Sequence, residues 1–498
     1  KKVRFNMANK VVVHSQPDLT KASKRSRDPI KIIKEEMVIP DRLLQYCNGK
    51  KCFIRTYGCQ ANVVDSQNIL GILEELGYIP VEDPFESDII ILNTCAVREN
   101  AEEKVFGEVG ALKKYKTQHP DAVIAVCGCM IQQPHVVEKL RKVYSQVDLM
   151  FGTHNIHRLP SLLDEVIFDK KRIIEVFSKE GEVIEHLPIV REDKIKAFVN
   201  IQYGCDKFCT YCIVPYTRGK QRSREKEDII EECNMLVKMG YKEITLLGQN
   251  VNAYGKDLYD DYSFSSLLED VAKTNIPRLR FMTSHPWDFT QSMFDVISKY
   301  DNIMPYIHLP LQSGSDTVLR RMGRRYTSTS YKDLVDNLRK TIPGVSLSTD
   351  IIVGFPNETE EEFMDTLKMV EYVRYDSAFT FIYSPRIGTP ASRIKDDVSS
   401  EEKHRRFDML VKKVNEIGLE KYAECVGKTY EVLVEGSSKK DSDILTGYTK
   451  DMKLVNFKGN RDNIGKFVNV SILDIIPVLL IARVSSCSLT GYKLANAV

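Results

Sequence analysis

Residues 197–212 read AFVNIQYGCDKFCTYC. The run Ala197–Gln202 has strand character, and it delivers the chain into a loop carrying Cys205, Cys209 and Cys212 in the form C-x3-C-x2-C. That spacing lets three thiolates from one loop reach three corners of one cubane, whereas protein cubanes normally take four cysteines. The corner left over is an open metal position, which chemistry at a metal requires. A loop at the C-terminal end of a strand is also where parallel α/β barrels keep their active sites. Two rival readings are a zinc knuckle and three unconnected thiols. Zinc would need a nearby fourth Cys or His, and the closest, Cys233, falls twenty-one residues on in a helical stretch. The residues therefore favour an iron–sulfur cluster.

Working outward, six strand-like runs separated by helical stretches occupy residues 196–424: Ala197–Gln202, Glu243–Leu247, Leu279–Thr283, Tyr306–Leu309, Ser346–Val353 and Ala378–Tyr383. Six such repeats suit an incomplete parallel (β/α)6 barrel better than a closed eight-fold one. Upstream, residues 51–165 also alternate. Cys52–Tyr57, Asp88–Asn93 and Ala122–Val126 read as strands, the latter two continuously apolar, so an α/β, doubly wound parallel sheet is expected. Asp65 or Ser66 is the expected cap of a helix that stops at Gly77. Residues 166–195 read as a mixed-charge connection with one or two short strands. Residues 425–498 change to short β-branched and aromatic runs between Gly, Asn, Asp and Ser, the pattern of a small β-barrel.

Residues 1–50 carry twelve Lys/Arg against five Asp/Glu and read as a basic, flexible or weakly ordered extension. No apolar core follows that basic start, so no secretory leader is expected. The longest apolar run, Ile475–Ala482, contains Pro477 and is too short to cross a bilayer. With 498 residues, 43% hydrophobic and 28% charged, the chain has room for two to four domains. Its net charge of +2 neither demands nor excludes a nucleic-acid partner. Twelve cysteines in a chain of this kind suggest thiols kept reduced for metal or catalysis, not a disulfide framework. A cytoplasmic protein without a membrane partner is expected, and a monomer, although the sequence does not fix the oligomeric state.

A second constellation is Cys59, Cys95 and Cys129, each just beyond a strand-like run. In a doubly wound sheet, loops at the C-terminal edge converge, so these three would meet and again leave one iron open. The spacing alone is equally compatible with small buried residues at strand ends. Cys127 competes with Cys129, but strand alternation should turn it the other way.

The flanking residues carry a resemblance. Tyr57-Gly58-Cys59-Gln60-Ala61-Asn62 with Asp65-Ser66, Asn93–Lys104 (NTCAVRENAEEK) and Gly128-Cys129-Met130 resemble the N-terminal domain of the radical S-adenosylmethionine methylthiotransferases, most closely the MiaB type. Cys205–Gly219 with Arg222-Ser223-Arg224 resembles the radical motif of that family, with Tyr211 as the aromatic residue before the last cysteine. Leu247–Gly255 (LGQNVNAYG), His308–Ser315 and Asp350–Pro356 resemble its barrel, so the likeness runs from residue 51 to roughly 475. Two positions depart: Ala61 stands where the family usually has Met, and the tail after Asp474 fits the family's C-terminal TRAM barrel loosely, keeping Leu489-Thr490-Gly491.

The resemblance implies two 4Fe–4S clusters, on Cys205, Cys209 and Cys212 and on Cys59, Cys95 and Cys129, with S-adenosylmethionine on the open iron of the first. It implies methylthiolation of C2 of N6-isopentenyladenosine at position 37, so the partner would be a tRNA anticodon stem-loop. An electron donor such as flavodoxin or ferredoxin and a sulfur or cluster delivery system would be needed. Sibling activities are methylthiolation of threonylcarbamoyl-adenosine or of a ribosomal-protein aspartate. A reading of another class is an RNA-binding protein with structural clusters.

Tyr211, Gln249, Asn250, Ser284, Gln312 and Asp350 are the expected cofactor contacts, the last five lying at the ends of barrel strands. Arg218, Arg222, Arg224, Arg324 and Arg325 in the barrel, and Lys450 and Lys453 in the last domain, are candidate phosphate contacts; a solvated face is the plainer reading of such runs. A base whose C2 edge must be reached leaves its stack, so an aromatic or apolar pocket is expected near both clusters. Cys47, Cys52, Cys233, Cys425 and Cys487 read as structural, and Trp287, the only tryptophan, as a candidate core residue.

Overall fold

A computed structural model describes residues 11–24, 30–34, 37–96, 99–178, 182–438, 441–476 and 479–484. Cys487 and Leu489–Gly491 lie outside these residues, as do Val97 and Arg98 of the second motif.

Among the described residues the first sheet has seven strands: β1 (Val11–Ser15), β2 (Lys51–Tyr57), β3 (Ile79–Pro80), β4 (Ile89–Thr94), β5 (Val123–Gly128), β6 (Leu149–Phe151) and β7 (Arg172–Glu175). Their order is β1-β7-β6-β5-β4-β2-β3, with every pairing parallel. Alternate residues of the central strands feed two separate cores. Ile89, Ile91, Val123 and Ala125 pack on one face, and Ile90, Leu92, Ile124 and Val126 on the other. Burial on both faces is why β4 and β5 are continuously apolar, and it makes the sheet doubly wound.

One expectation for this region, the helix cap, is corrected. Of residues 1–50, the described ones build into the fold: β1 is the sheet's edge strand, α1 (Leu19–Ala22) follows it, and α2 (Asp41–Cys47) buries Leu43 and Cys47 in one of the two cores. Helix α3 (Gln60–Glu75) is capped by Cys59, not by Asp65 or Ser66. Both of those side chains are spent inside the fold, Asp65 on an arginine and Ser66 on Thr56 and Asn93. In the connection, where one or two short strands are expected, Arg172–Glu175 forms β7 and carries the sheet past residue 165.

The second unit is a half-barrel. Strands β8 (Lys196–Asn200), β9 (Glu243–Leu247) and β10 (Arg278–Phe281) form one parallel sheet; β11 (Tyr306–His308), β12 (Ser346–Val353) and β13 (Ser377–Ile382) form another. A parallel bridge between Leu279 and Ile303 joins the two. The outward faces pack on helices through Val199, Ile244, Leu246, Leu279, Ile307, Leu347 and Ile351. The long helix Ser400–Ala423 then leads to a closed antiparallel-rich barrel of β14 (Thr429–Ser437), β15 (Ile444–Thr449), β16 (Leu454–Lys458), β17 (Phe467–Ile476) and β18 (Leu479–Val484). Strand β15 has no counterpart in the sequence reading. It contains Gly447, where an added Cβ would sit 2.2 Å from the Leu433 carbonyl oxygen, a closeness only the fold reveals. Cys47, Cys52, Cys233 and Cys425 are buried; Trp287 is half exposed and lies outside the core. No helix of the described residues is long and apolar enough to cross a membrane.

Candidate active site

The cluster loop leaves β8 through a two-residue antiparallel pair, Gln202–Tyr203 with Arg222–Ser223, that closes its base. Gly204 has φ +72°, and a Cβ there would lie 2.0 Å from the Lys220 carbonyl oxygen, so the closure requires glycine. The Cys205 amide donates to Gly219 O (3.1 Å), Thr210 N to Met322 O (2.9 Å) and Cys212 N to Cys209 O (3.0 Å). The loop is thus held by its own far end and by the barrel. Burial pushes the Cys205 thiol up to about 11 and raises Cys212 as well. The cation placed on this loop is Arg324, whose Nη1 donates to Cys209 Sγ at 3.5 Å. Buried thiols so arranged are thiolate ligands only when a metal supplies positive charge.

The second triad follows from strand register. Tyr57, Thr94 and Gly128 stand side by side on β2, β4 and β5. Cys59, Cys95 and Cys129, one or two residues further on, therefore emerge together from three adjacent strands. Gly128 has φ +93°, and a Cβ would sit 2.4 Å from both Asn93 Oδ1 and Thr94 O. Beneath the thiols, Asn62 Nδ2 donates to Asn93 Oδ1 (3.1 Å) and Thr94 O (3.3 Å), and Asn93 Nδ2 to Ser66 Oγ (2.9 Å). The Cys59 thiol is lowered to about 5, chiefly by a hydrogen bond with Cys95, then by the Arg218 charge and the amides that open α3. Burial raises Cys129, against the pull of Arg218. Cys127 turns into the sheet core, as strand alternation requires.

Arg218 joins the two triads. It sits six residues after Cys212, donates from Nε to Cys129 Sγ (3.0 Å), and pairs with Asp65 through Nη2–Oδ2 at 2.6 Å and Nη1–Oδ1 at 3.2 Å. All three side chains are buried. Ile213, next to Cys212, and Tyr216 share an apolar cluster with Cys129, with Ala96 beside Cys95, and with Leu19 and Ala22 of α1. The stretch that follows Cys212 thus packs directly against Cys129 of the second triad. Among the described residues no three His, Cys, Asp or Glu gather as a single-ion site; a multi-iron group has corners farther apart than the ligands of one ion.

Most of the expected phosphate contacts are buried on partners within the chain. Arg218 is used as described. Arg224 is buried on Glu185, Glu232 and Asn200 O. Arg222 is buried, and its Nη1 donates to the carbonyls of Arg218 and Lys220. Arg324 is buried against Cys209, and Lys453 against Asp451 and Asp376. Burying a guanidinium or ammonium demands a fixed partner, and that partner takes the place of RNA. Arg325 is exposed beside Trp287, and Lys450 is half-buried, so these two retain the expected accessibility.

The strand-end residues bond to the cluster loop and to neighbouring strands. Gln249 Oε1 accepts from Gly204 N, Ser284 Oγ donates to His308 O, and Asp350 Oδ2 lies 3.2 Å from His308 Nε2. Asn250 Nδ2 donates to Asp288 Oδ2 (2.7 Å). Gln312 has φ +68° and pairs its backbone with Asp350 O and Ile352 N. Tyr211 packs with Ile352 on Met322 and Phe355. The Asn250 Oδ1, Gln312 Oε1 and Gln202 Oε1 atoms are buried with no protein partner. Such orphaned acceptors suit a polar cofactor, which fits S-adenosylmethionine at this end of the barrel. Asp288, which the sequence reading missed, also holds Lys207 of the cluster loop at 2.6 Å and Lys256 at 2.7 Å. An acidic residue beside a tryptophan gives no sign of that until strands β9 and β10 bring it beneath the loop.

Family models match in three stretches: the radical SAM superfamily over residues 199–370, the uncharacterized protein family UPF0004 over 51–152, and the TRAM domain over 423–484. The tRNA-2-methylthio-N(6)-dimethylallyladenosine synthase of Staphylococcus haemolyticus is 54% identical over 461 residues, covering 92% of this chain and 90% of its own. The chain belongs to the tRNA-2-methylthio-N(6)-dimethylallyladenosine synthase family. The synthase of Anoxybacillus flavithermus is likewise 54% identical, with 92% of this chain and 87% of its own covered. Within this synthase family chain, the UPF0004 stretch carries the Cys59, Cys95 and Cys129 triad and the radical SAM stretch carries the other. Among solved structures, the radical S-adenosylmethionine methyltransferase TsrM from Kitasatospora setae, with cobalamin and a 4Fe–4S cluster bound, has TM-score 0.50 and 14% identity, covering 69% of this chain and 77% of that one. At that identity the likeness is one of fold.

Proposed function

We propose that this protein methylthiolates C2 of N6-isopentenyladenosine at position 37 of tRNA. It would use two 4Fe–4S clusters and two molecules of S-adenosylmethionine, one as methyl donor. Residues Cys205, Cys209 and Cys212 would hold the first cluster, and Cys59, Cys95 and Cys129 the second. Bound on these residues, the first cluster would supply an electron for reductive cleavage of S-adenosylmethionine, and the second would supply sulfur.

The chain's own residues prepare both sites. Arg324 and Arg218 place one guanidinium beside each triad, offsetting thiolate charge where water is excluded. The Asn62–Asn93–Ser66 ladder fixes the strand ends from which the second triad emerges. Asp288 fixes Lys207 and so the cluster loop. Gln249, Asn250, Ser284, Gln312 and Asp350 at the strand ends, with Tyr211 in the cluster loop, would contact S-adenosylmethionine. An aromatic C2–H offers no acidity for a general base, so a radical route needs no catalytic acid or base among these residues. The partners would be the tRNA anticodon stem-loop, a flavodoxin- or ferredoxin-type electron donor, and a sulfur or cluster delivery system, in the cytoplasm.

The observation that carries the reading is the contact of Arg218, next to the radical loop, with Cys129 of the other triad. The test is nucleoside mass spectrometry on tRNA from cells lacking the protein. Loss of the methylthio group with the isopentenyl group retained is expected. Unchanged nucleosides would refute the tRNA assignment.

A further inference from the structure

The lumen wall of the half-barrel carries two phenylalanines that the fold does not cover. Strand β13 is the last strand and a free edge of its sheet. Its Ala378 and Ile382 pack outward on the helical core. Strand alternation therefore turns Phe379 and Phe381 toward the lumen. They are 53% and 46% exposed. In a closed barrel of eight strands such positions fill the interior; here the missing strands leave them open. Their neighbours are chemically mixed. Phe379 stands beside Asp350 and Phe381 beside Ile352 in the β12–β13 register. His308 meets the Phe379 ring edge-on at 6.0 Å and bonds to Ser348 (2.9 Å) and Asp350 (3.2 Å). The wall thus offers two aromatic faces next to a hydrogen-bonding pair. Phe381 lies nearer the mouth that holds Cys205–Cys212, and Phe379 one layer deeper.

We propose that Phe379 and Phe381 form the apolar seat for the N6-dimethylallyl group of the flipped adenine, making them specificity-determining residues. This rests on the substrate reading above. In adenine, N1 separates C2 from C6, so a ring with C2 directed at the mouth sends its N6 substituent away from it, along β13. The hydrocarbon tail is short, branched and uncharged, which suits two uncovered rings better than a phosphate or a sugar would.

The test is equilibrium binding of the reconstituted, unreduced holoenzyme to two anticodon stem-loops that differ only in the dimethylallyl group on adenosine 37. Wild type is expected to prefer the prenylated RNA by about tenfold or more, as apolar pockets discriminate small hydrocarbon groups. In the Phe379→Ala, Phe381→Ala double variant that preference should fall below about threefold through loss of prenylated binding alone. A Phe379→Leu, Phe381→Leu variant should keep most of it. Because both rings are exposed, iron content and RNA-free 5′-deoxyadenosine formation should match wild type. An undiminished preference, or equal weakening of both RNAs, overturns the proposal. A wild-type protein with no preference overturns the substrate reading itself, an outcome seen before any variant is made.

Discussion

Arg218 stands in a run of basic residues that reads as a phosphate grip, yet it is buried between Asp65 and Cys129. Removing one member of such a pair leaves an uncompensated buried charge, at a cost of about 3–5 kcal/mol. Arg218→Met should therefore lower the urea midpoint sharply, and a further Asp65→Leu change should restore much of it. Lys at 218 would supply charge without the two-pronged fit, so it should rescue poorly. Unfolding curves with iron analysis check this; an unaltered midpoint in Arg218→Met would contradict the pairing. Histidines give a second prediction at this scale. Burial lowers His285 to about 2 and depresses His154 too, with Arg324 and Arg222 respectively adding to the effect. Both stay neutral in the fold while the unfolded chain protonates near 6.5. Stability is then full above that pH and declines as pH falls, by about 2 kcal/mol per histidine between pH 7 and 5. His285→Asn keeps an acceptor for Trp287 N, so its urea midpoint should fall less steeply with acidification than that of wild type. Parallel slopes would mean that His285 is protonated in the folded protein.

At the scale of elements, α1 shows what composition conceals. Its residues lie in a charged, weakly apolar stretch, but Leu19 and Ala22 pack on Ala96, Cys129, Ile213 and Tyr216. Leu19→Asp would set a carboxylate against that apolar patch, costing about 1–3 kcal/mol. Iron release to a chelator should then become biphasic, with the faster half assigned to the Cys59 triad; single-phase release at the wild-type rate would show that α1 does not shield it. The strands β4, β5, β9 and β12 were legible because each is a dense apolar or β-branched run in which burial on one or both faces overrides everything else. The placement of both cysteine triads was legible for a related reason: the cysteines lie just past strand ends, and the strand ends were marked. Three elements were not. β1 pairs as an edge strand with β7 across more than 150 residues, which no local pattern encodes. β15 depends on the close approach of Gly447 to Leu433. The start of α3 was displaced because Asp65 and Ser66 look like caps, while their real partners, Arg218, Thr56 and Asn93, are far away in sequence. Charge partners explain the misread arginines as well: a sequence displays a basic run but not the carboxylate or thiol that will neutralise it.

Across the whole molecule, the last barrel is fastened to the N-terminal end of the half-barrel, opposite the cluster loop. Arg278 opens β10 and is 1% exposed. It donates to Tyr448 O (2.8 Å) and Glu431 O (3.0 Å) and lies 5.0 Å over the Phe467 ring. Lys196 of β8 pairs with Glu435 at 2.6 Å, and Lys453 lies 3.4 Å from Asp376 just before β13. These contacts come from the first, third and last strands of the half-barrel. The closing barrel therefore spans the gap between β8 and β13 from below, beside the side on which Phe379 and Phe381 are uncovered. An RNA reaching the cluster loop through that side would meet both units at once. Arg278→Ala removes two hydrogen bonds and a buried cation that leaves carbonyls unpaired, worth about 2–4 kcal/mol of docking. The variant should be cleaved by protease between Glu424 and Lys428, where the long helix ends and β14 has not begun. Its affinity for full tRNA should drop about tenfold or more, as one of two linked binding units is freed. Its RNA-free 5′-deoxyadenosine formation should not change, because that chemistry lies at the other end of the strands. Intact tRNA affinity alongside rapid proteolysis would show that the closing barrel binds RNA without needing a fixed seat.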